Sequence, residues 1–189
     1  MVTGSRHADR MKKIVIAALG VAVLVAVPAP AQASEPAFQK CGRVTVDRDA
    51  PVIGRASRFV SAPVPTVWRM HTDIDRWDTW IPEITPAVTK TPGPLRRGSV
   101  FEWNPQGMHV TSTVLTVEQR RCTAWGAPVG GIDGVHLFTF RKVRGGVLVT
   151  TEESWSGAVV EADVPGFQAL LDTGLQDWVQ RIEDVAESR

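Results

Sequence analysis

Chemistry in this 189-residue chain has few places to reside. It holds four histidines, two cysteines and no tyrosine. No G-x-S-x-G elbow, P-loop, dinucleotide G-x-G-x-x-G or H-E-x-x-H stands in it, which removes the main support for hydrolase, nucleotide and zinc-protease readings and points to no cofactor. What remains is a histidine–carboxylate pairing, found by strand alternation. Over residues 135–143 the set His136, Phe138, Phe140 opposes Leu137, Thr139, Arg141. Over residues 147–157 the set Val149, Thr151, Glu153, Trp155 opposes Leu148, Thr150, Glu152, Ser154. Alternate side chains of a strand share a face, and the charged member of each alternation belongs in water, so the aromatic set is expected to point inward. Glu153 would then enter an apolar space, where an isolated carboxylate must raise its pKa or find a partner such as His136 or His71. His136 and Glu153 are therefore the candidate acid and base, with Asp73 a weaker candidate. The plainer alternatives are a core histidine at 71, hydrogen-bonded to backbone, and a rim carboxylate at 153 in contact with water. His109 follows a turn and is expected to be exposed.

The elements that must position these groups begin after an unusual leader. Met11-Lys12-Lys13 opens a basic segment, residues 14–27 form an apolar run of 14, and Ala31-Gln32-Ala33 supplies a small-x-small cleavage pattern. A membrane span needs about 20 apolar residues, so residues 1–33 read as an export signal cleaved after Ala33, leaving no stable span and a secreted or cell-envelope product. Without those residues the basic and acidic totals become 17 and 19, a net of −2 with no basic cluster, which argues against a nucleic-acid partner. In an oxidising compartment Cys41 and Cys122 would either pair as a disulfide or stay as two buried thiols. Neither has a second ligand at metal spacing, so no metal site is expected.

Residues 34–54 are polar and proline-broken and read as an N-terminal arm, with a short strand at 43–46. Residues 55–189 read as the domain. A strand at 55–60 runs into Ser61-Ala62-Pro63, where Ser61 is placed to cap a helix whose stripe is Val64, Val67, Trp68, His71 and Ile74. Asp73 or Asp75 would cap a second short helix bearing Trp77 and Trp80. After Pro94, turn signals separate β-branched and aromatic runs, predicting strands at 85–90, 99–104, 108–118, 121–127, 135–143 and 147–157. Asp163-Val164-Pro165 then opens a long helix with Phe167, Leu170, Leu171, Leu175, Trp178, Ile182 and Val185 on one face. The fold class is α+β: a curved antiparallel sheet of about seven strands, two short helices after the first strand, and a long C-terminal helix laid on one sheet face.

In that order and spacing the chain resembles the SRPBCC superfamily (START-related, helix-grip fold), particularly its polyketide cyclase/dehydrase-like branch. The resemblance rests on the run from Phe59 to Trp68, on Asp73-Ile74-Asp75-Arg76-Trp77 with Trp80, and on Gly145 to Glu153 followed by Gly157. It implies a cavity between sheet and C-terminal helix that holds an apolar or aromatic small molecule, lipid or polyketide-like. The resemblance and inward parity together nominate Trp77, Trp80, Phe101, Trp103 and Trp125 as ligand-binding lining, continued by Phe138 and Trp155 beside His136 and Glu153. The enzymatic alternative is a polyketide cyclase or dehydratase in which His136 and Glu153 move protons on a bound chain. A third reading makes the arm an interaction segment, unless a bond from Cys41 to Cys122 ties it down.

Overall fold

Turn chemistry and strand alternation between them produce a meander that closes on its own first strand. The computed structural model describes Met1 and residues 38–84 and 86–188; the expected signal of residues 1–33 and its cleavage site lie outside the described residues. Seven strands are antiparallel throughout: β1 (Val52–Val60), β2 (Val88–Thr89), β3 (Val100–Trp103), β4 (Val110–Glu118), β5 (Cys122–Val129), β6 (Ile132–Val143) and β7 (Gly146–Ser156). Their spatial order is β1-β7-β6-β5-β4-β3-β2, so only β1 leaves sequence order. Between Val114 and Thr116 the register with β5 shifts, a bulge of the kind that bends a strand and deepens the curve of a sheet.

The helices are α1 (Val64–Thr72), α2 (Ala158–Ala162) and α3 (Val164–Glu187), with short 3-10 segments at Ile74–Thr79, Pro82–Ile84 and Pro105–Gly107. α3 packs chiefly on β1 and also touches β7. Gly54 makes that approach possible, since a Cβ there would sit 2.8 Å from Leu171 Cγ and 2.9 Å from Leu175 Cδ1. The helix buries Leu171, Leu175, Trp178, Val179, Ile182 and Ala186, while Leu170, assigned to its apolar stripe, is 40% exposed. Asp163 caps α3 by accepting from the Gly166 N–H at 3.0 Å, as the Asp-Val-Pro start requires.

Other local expectations are corrected. Pro63, not Ser61, is the N-cap of α1, and it makes no side-chain cap bond. The Ser61 N–H instead donates to Glu187 Oε1 at 2.6 Å, tying the end of α3 to the start of α1. Asp73 also caps nothing through its side chain, and Asp75 accepts from the Thr89 N–H at 2.6 Å, bridging the second short helix to β2. The arm's strand at 43–46 is reduced to one bridge between Cys41 and Val44, and β1 starts three residues before 55, so the drawn border between arm and domain falls inside a strand. α2 precedes the long helix unannounced by the sequence pattern.

Two cores result, one on each side of the sheet. The larger lies between the sheet and the helices. The smaller forms on the outer face, where Cys41 and Val46 of the arm cover Cys122, Ala124 and Leu137. A disulfide joins Cys41 to Cys122, S–S 2.15 Å and Cα–Cα 5.5 Å, across a separation of 81 residues. In the chain-entropy model a loop of that length confers about 4 kcal/mol. The arm is thus a fastened cover, which settles its structural place. Among the described residues no helix is long and apolar enough to cross a membrane.

Candidate functional site

Antiparallel register builds the site as a row across four strands. Trp125 of β5 stands opposite His136 of β6, His136 opposite Glu153 of β7, and Glu153 opposite Gly54 of β1. Because the last member of the row is a glycine, α3 can descend at that end. On the other side the sheet and helix separate. The space left between them is a cavity of about 580 Å³.

Its sheet wall carries Trp103, Ser112, Trp125, His136, Glu153 and Trp155, and its helix wall Leu171, Leu175 and Trp178. Ile81, Ile84, Met108 and Leu170 continue the apolar lining, and Glu83, Asp177, Arg181 and Asp184 supply charge. Arg181 of α3 pairs with Glu83 of the Pro82–Ile84 turn, an ion pair between half-exposed partners. His136, Glu153, Trp103, Trp125 and Trp155 are thus brought together as the sequence anticipates.

Four other nominated residues are not in the wall. Trp77, Phe101 and Phe138 have no exposed surface and Trp80 is 4% exposed; all four belong to the packed core. Trp77 meets Phe101 edge-on at 5.7 Å and Trp178 at 5.4 Å, so these rings fill the interior behind the cavity. Alternation tells which face a side chain takes, but α1 and the Ile74–Thr79 turn decide how much of that face is filled. The sequence reading in turn missed the cavity role of Trp178, Ile81, Ile84 and Met108. Trp178 lay on the recognised α3 stripe, a signal that could have found it.

His71 belongs to the filled part. Its Nε2 lies 2.9 Å from Thr123 Oγ1, its ring is 4.5 Å from that of Phe138, and burial pulls its pKa down to about 3. It is a neutral core histidine, too deep to serve the cavity. Asp73 and His109 line no part of the cavity either, and His109 is exposed.

His136 and Glu153 are different. His136 Nε2 is 2.7 Å from Thr151 Oγ1, while Nδ1 is 3.2 Å from Glu153 Oε2 without the alignment of a hydrogen bond. The Trp155 indole N–H donates to Glu153 Oε1 at 2.9 Å. Burial raises the Glu153 pKa to about 7, against the lowering effect of the Trp155 hydrogen bond. Burial, followed by repulsion from His71, holds His136 well below its ordinary value. Near neutral pH the pair is an uncharged imidazole beside a carboxyl group poised between its two states. Such a pair can give or take one proton at the cavity wall.

Among the described residues, no group of three or more His, Cys, Asp or Glu side chains is placed to hold a metal ion.

The profile of one family, described as "Polyketide cyclase / dehydrase and lipid transport", matches residues 52–186. No curated protein matches the sequence. Among solved structures, a hypothetical protein from Helicobacter pylori is similar at TM-score 0.67 and 18% identity, over 82% of this chain and 99% of that one. A START superfamily protein from Mycobacterium smegmatis is similar at TM-score 0.61 and 13% identity, over 72% of this chain and 97% of its own. A putative protein of the dynemicin biosynthetic locus reaches TM-score 0.55 and 23% identity, over 70% of this chain and 46% of its own. At these identities the likeness is one of fold.

Proposed function

The chain belongs to the polyketide cyclase / dehydrase and lipid transport family, and from that premise we propose that it binds an apolar, ring-bearing small molecule in the cavity between sheet and α3. One observation carries the reading: about 580 Å³ stays open beside four indoles, next to a core packed with aliphatic and aromatic side chains. Cavities of a few hundred Å³ lined by apolar groups with few polar ones are the usual form of small-molecule sites. The basic-apolar-small pattern of residues 1–33 supports export as part of the same proposal.

The test is titration of the full chain with N-phenyl-1-naphthylamine, an uncharged ring-bearing probe, following probe emission and tryptophan quenching. Saturable one-to-one binding is expected, and Ala127→Trp, an indole at a β5 position that lines the cavity, should abolish it while the fold survives by circular dichroism. Absence of binding, or binding unaffected by Ala127→Trp, overturns the proposal.

A second reading is favoured by the 3.2 Å approach of Glu153 Oε2 to His136 Nδ1. In it the pair serves as general acid and base on a bound carbonyl compound. Proton exchange at carbon α to a ligand carbonyl, lost in both His136→Ala and Glu153→Gln, would support catalysis; exchange at the uncatalysed rate would leave binding alone.

A further inference from the structure

We propose that the cavity selects an apolar ligand bearing a cationic nitrogen, an amine or quaternary ammonium, with Glu153 as its counter-ion and the surrounding indoles as its cage. The inference rests on the ligand-binding reading and specifies its ligand class.

The charge inventory points this way. Lining the cavity are four carboxyl groups, Glu83, Glu153, Asp177 and Asp184, and one permanent cation, Arg181, which already pairs with Glu83. An anionic head group would meet a net negative lining and no uncommitted cation in the wall. A cation would meet attraction at the mouth and again inside.

Inside, Glu153 is 13% exposed and its oxygens face the Trp155 N–H and the His136 ring, both uncharged at neutral pH. Its cross-strand neighbours are His136 of β6 and Gly54 of β1, and the charged side chains that border the same cavity are Glu83 and, along α3, Asp177, Arg181 and Asp184. None of the carboxyl groups compensates another. A ligand cation supplies the charge that the protein leaves out.

Trp103, Trp125, Trp155 and Trp178 all border the same space, with Trp103 5.6 Å and Trp125 6.3 Å from Trp178. An indole face attracts a cation more strongly than a phenyl or phenol face does, and more so where water is excluded. Aromatic rings around a carboxylate form a site for ammonium groups in particular, whereas a purely lipid-chain site has no use for the carboxylate.

Three naphthalenes of nearly equal size test the idea on the full chain: 2-naphthyltrimethylammonium, its uncharged isostere 2-tert-butylnaphthalene, and 2-naphthoate. The cation is expected to bind at least about tenfold more tightly than the isostere, and naphthoate most weakly. Glu153→Gln should shrink the ratio of cation to isostere affinity by about tenfold, and Glu153→Asp should retain the preference. At pH 7 the cation should also expel about half a proton per site, since Glu153 titrates near that value. Calorimetry in two buffers of different ionisation enthalpy reads that release.

Equal or tighter binding of the isostere or of naphthoate overturns the inference and leaves the ligand-binding reading standing. A cation preference unmoved by Glu153→Gln overturns the role of Glu153. If no naphthalene binds and N-phenyl-1-naphthylamine also fails, both readings fall together.

Discussion

Glu152 and Glu153 follow one another on β7 and both leave water, yet they point to opposite faces of the sheet and keep opposite company. Glu152, 2% exposed, accepts from the Gln39 N–H at 2.8 Å and lies 3.3 Å from the guanidinium of Arg55, its cross-strand neighbour. Burial raises its pKa, but the Gln39 hydrogen bond, Arg55 and Arg48 all oppose that rise. Glu153 has an indole N–H and a misaligned, uncharged imidazole. Burial alone therefore does not distinguish a carboxylate that the fold completes from one that it leaves without a charged partner. On the outer face the arm and a guanidinium complete Glu152; on the inner face Glu153 has one hydrogen bond, from the Trp155 indole, and no cation beside it.

The largest effect should come from unfastening that outer face. Replacing both Cys41 and Cys122 by serine is expected to remove about 4 kcal/mol of stability in urea unfolding. Probe binding to the inner cavity should stay within a small factor of the parent. A large loss of affinity in a still-folded double variant would show that the two faces are not separable.

The adjacent carboxylates should respond in opposite directions. Folding raises the Glu153 pKa from its ordinary 4.5 to about 7, so its ionisation opposes folding progressively across that window and fully above it. Glu153→Gln should therefore stabilise the protein by about 3 kcal/mol at pH 8, with the difference vanishing below about pH 4.5. Glu152→Ala removes a satisfied acceptor, strands the Gln39 N–H, and should destabilise by about 2 kcal/mol. Urea midpoints at pH 4 and pH 8 decide, and equal signs at pH 8 would erase the contrast between the faces.

The smallest effect belongs to the cavity's charged rim. Arg181 and Glu83 are 46% and 55% exposed, and Arg181→Ala should cost less than about 1 kcal/mol of stability. Its consequence should appear in stopped-flow rates of probe entry and exit, with naphthoate weakened further.

Sequence alternation was enough to read the inner row. Arg141 and Glu102 mark the outward face of their strands and Cys122 that of β5, and so the inward placement of His136, Trp103 and Trp125 follows from a period of two. Glu152 broke the same rule, because it assumes that the face opposite the core is wet. Leu137 and Ala124 on that face were the available hint that something dry lies over it. The bond from Cys41 to Cys122 identifies the cover. Depth was illegible for a different reason: Trp77, Trp80, Phe101 and Phe138 are correctly apolar and interior, but whether an interior ring lines space or fills it depends on how helices cross the sheet. Ser61 failed as a cap because α1 starts only at Val64, with extended Pro63 as its N-cap, and the Ser61 N–H was claimed from 126 residues away by Glu187.

The disulfide has a mechanical meaning as well. Cys122 fastens β5 from behind, and its neighbours Thr123 and Trp125 face the other way, toward His71 and the cavity. The sheet wall is thus splinted along its back, whereas the opposite wall and mouth are made of short 3-10 turns and one helix surface. That is the construction of a vise with one fixed jaw. On the proposed binding reading, compliance toward guests of different girth is expected from the Pro82–Ile84 and Pro105–Gly107 turns and from α3, and the row bearing His136 and Glu153 is expected to keep its spacing.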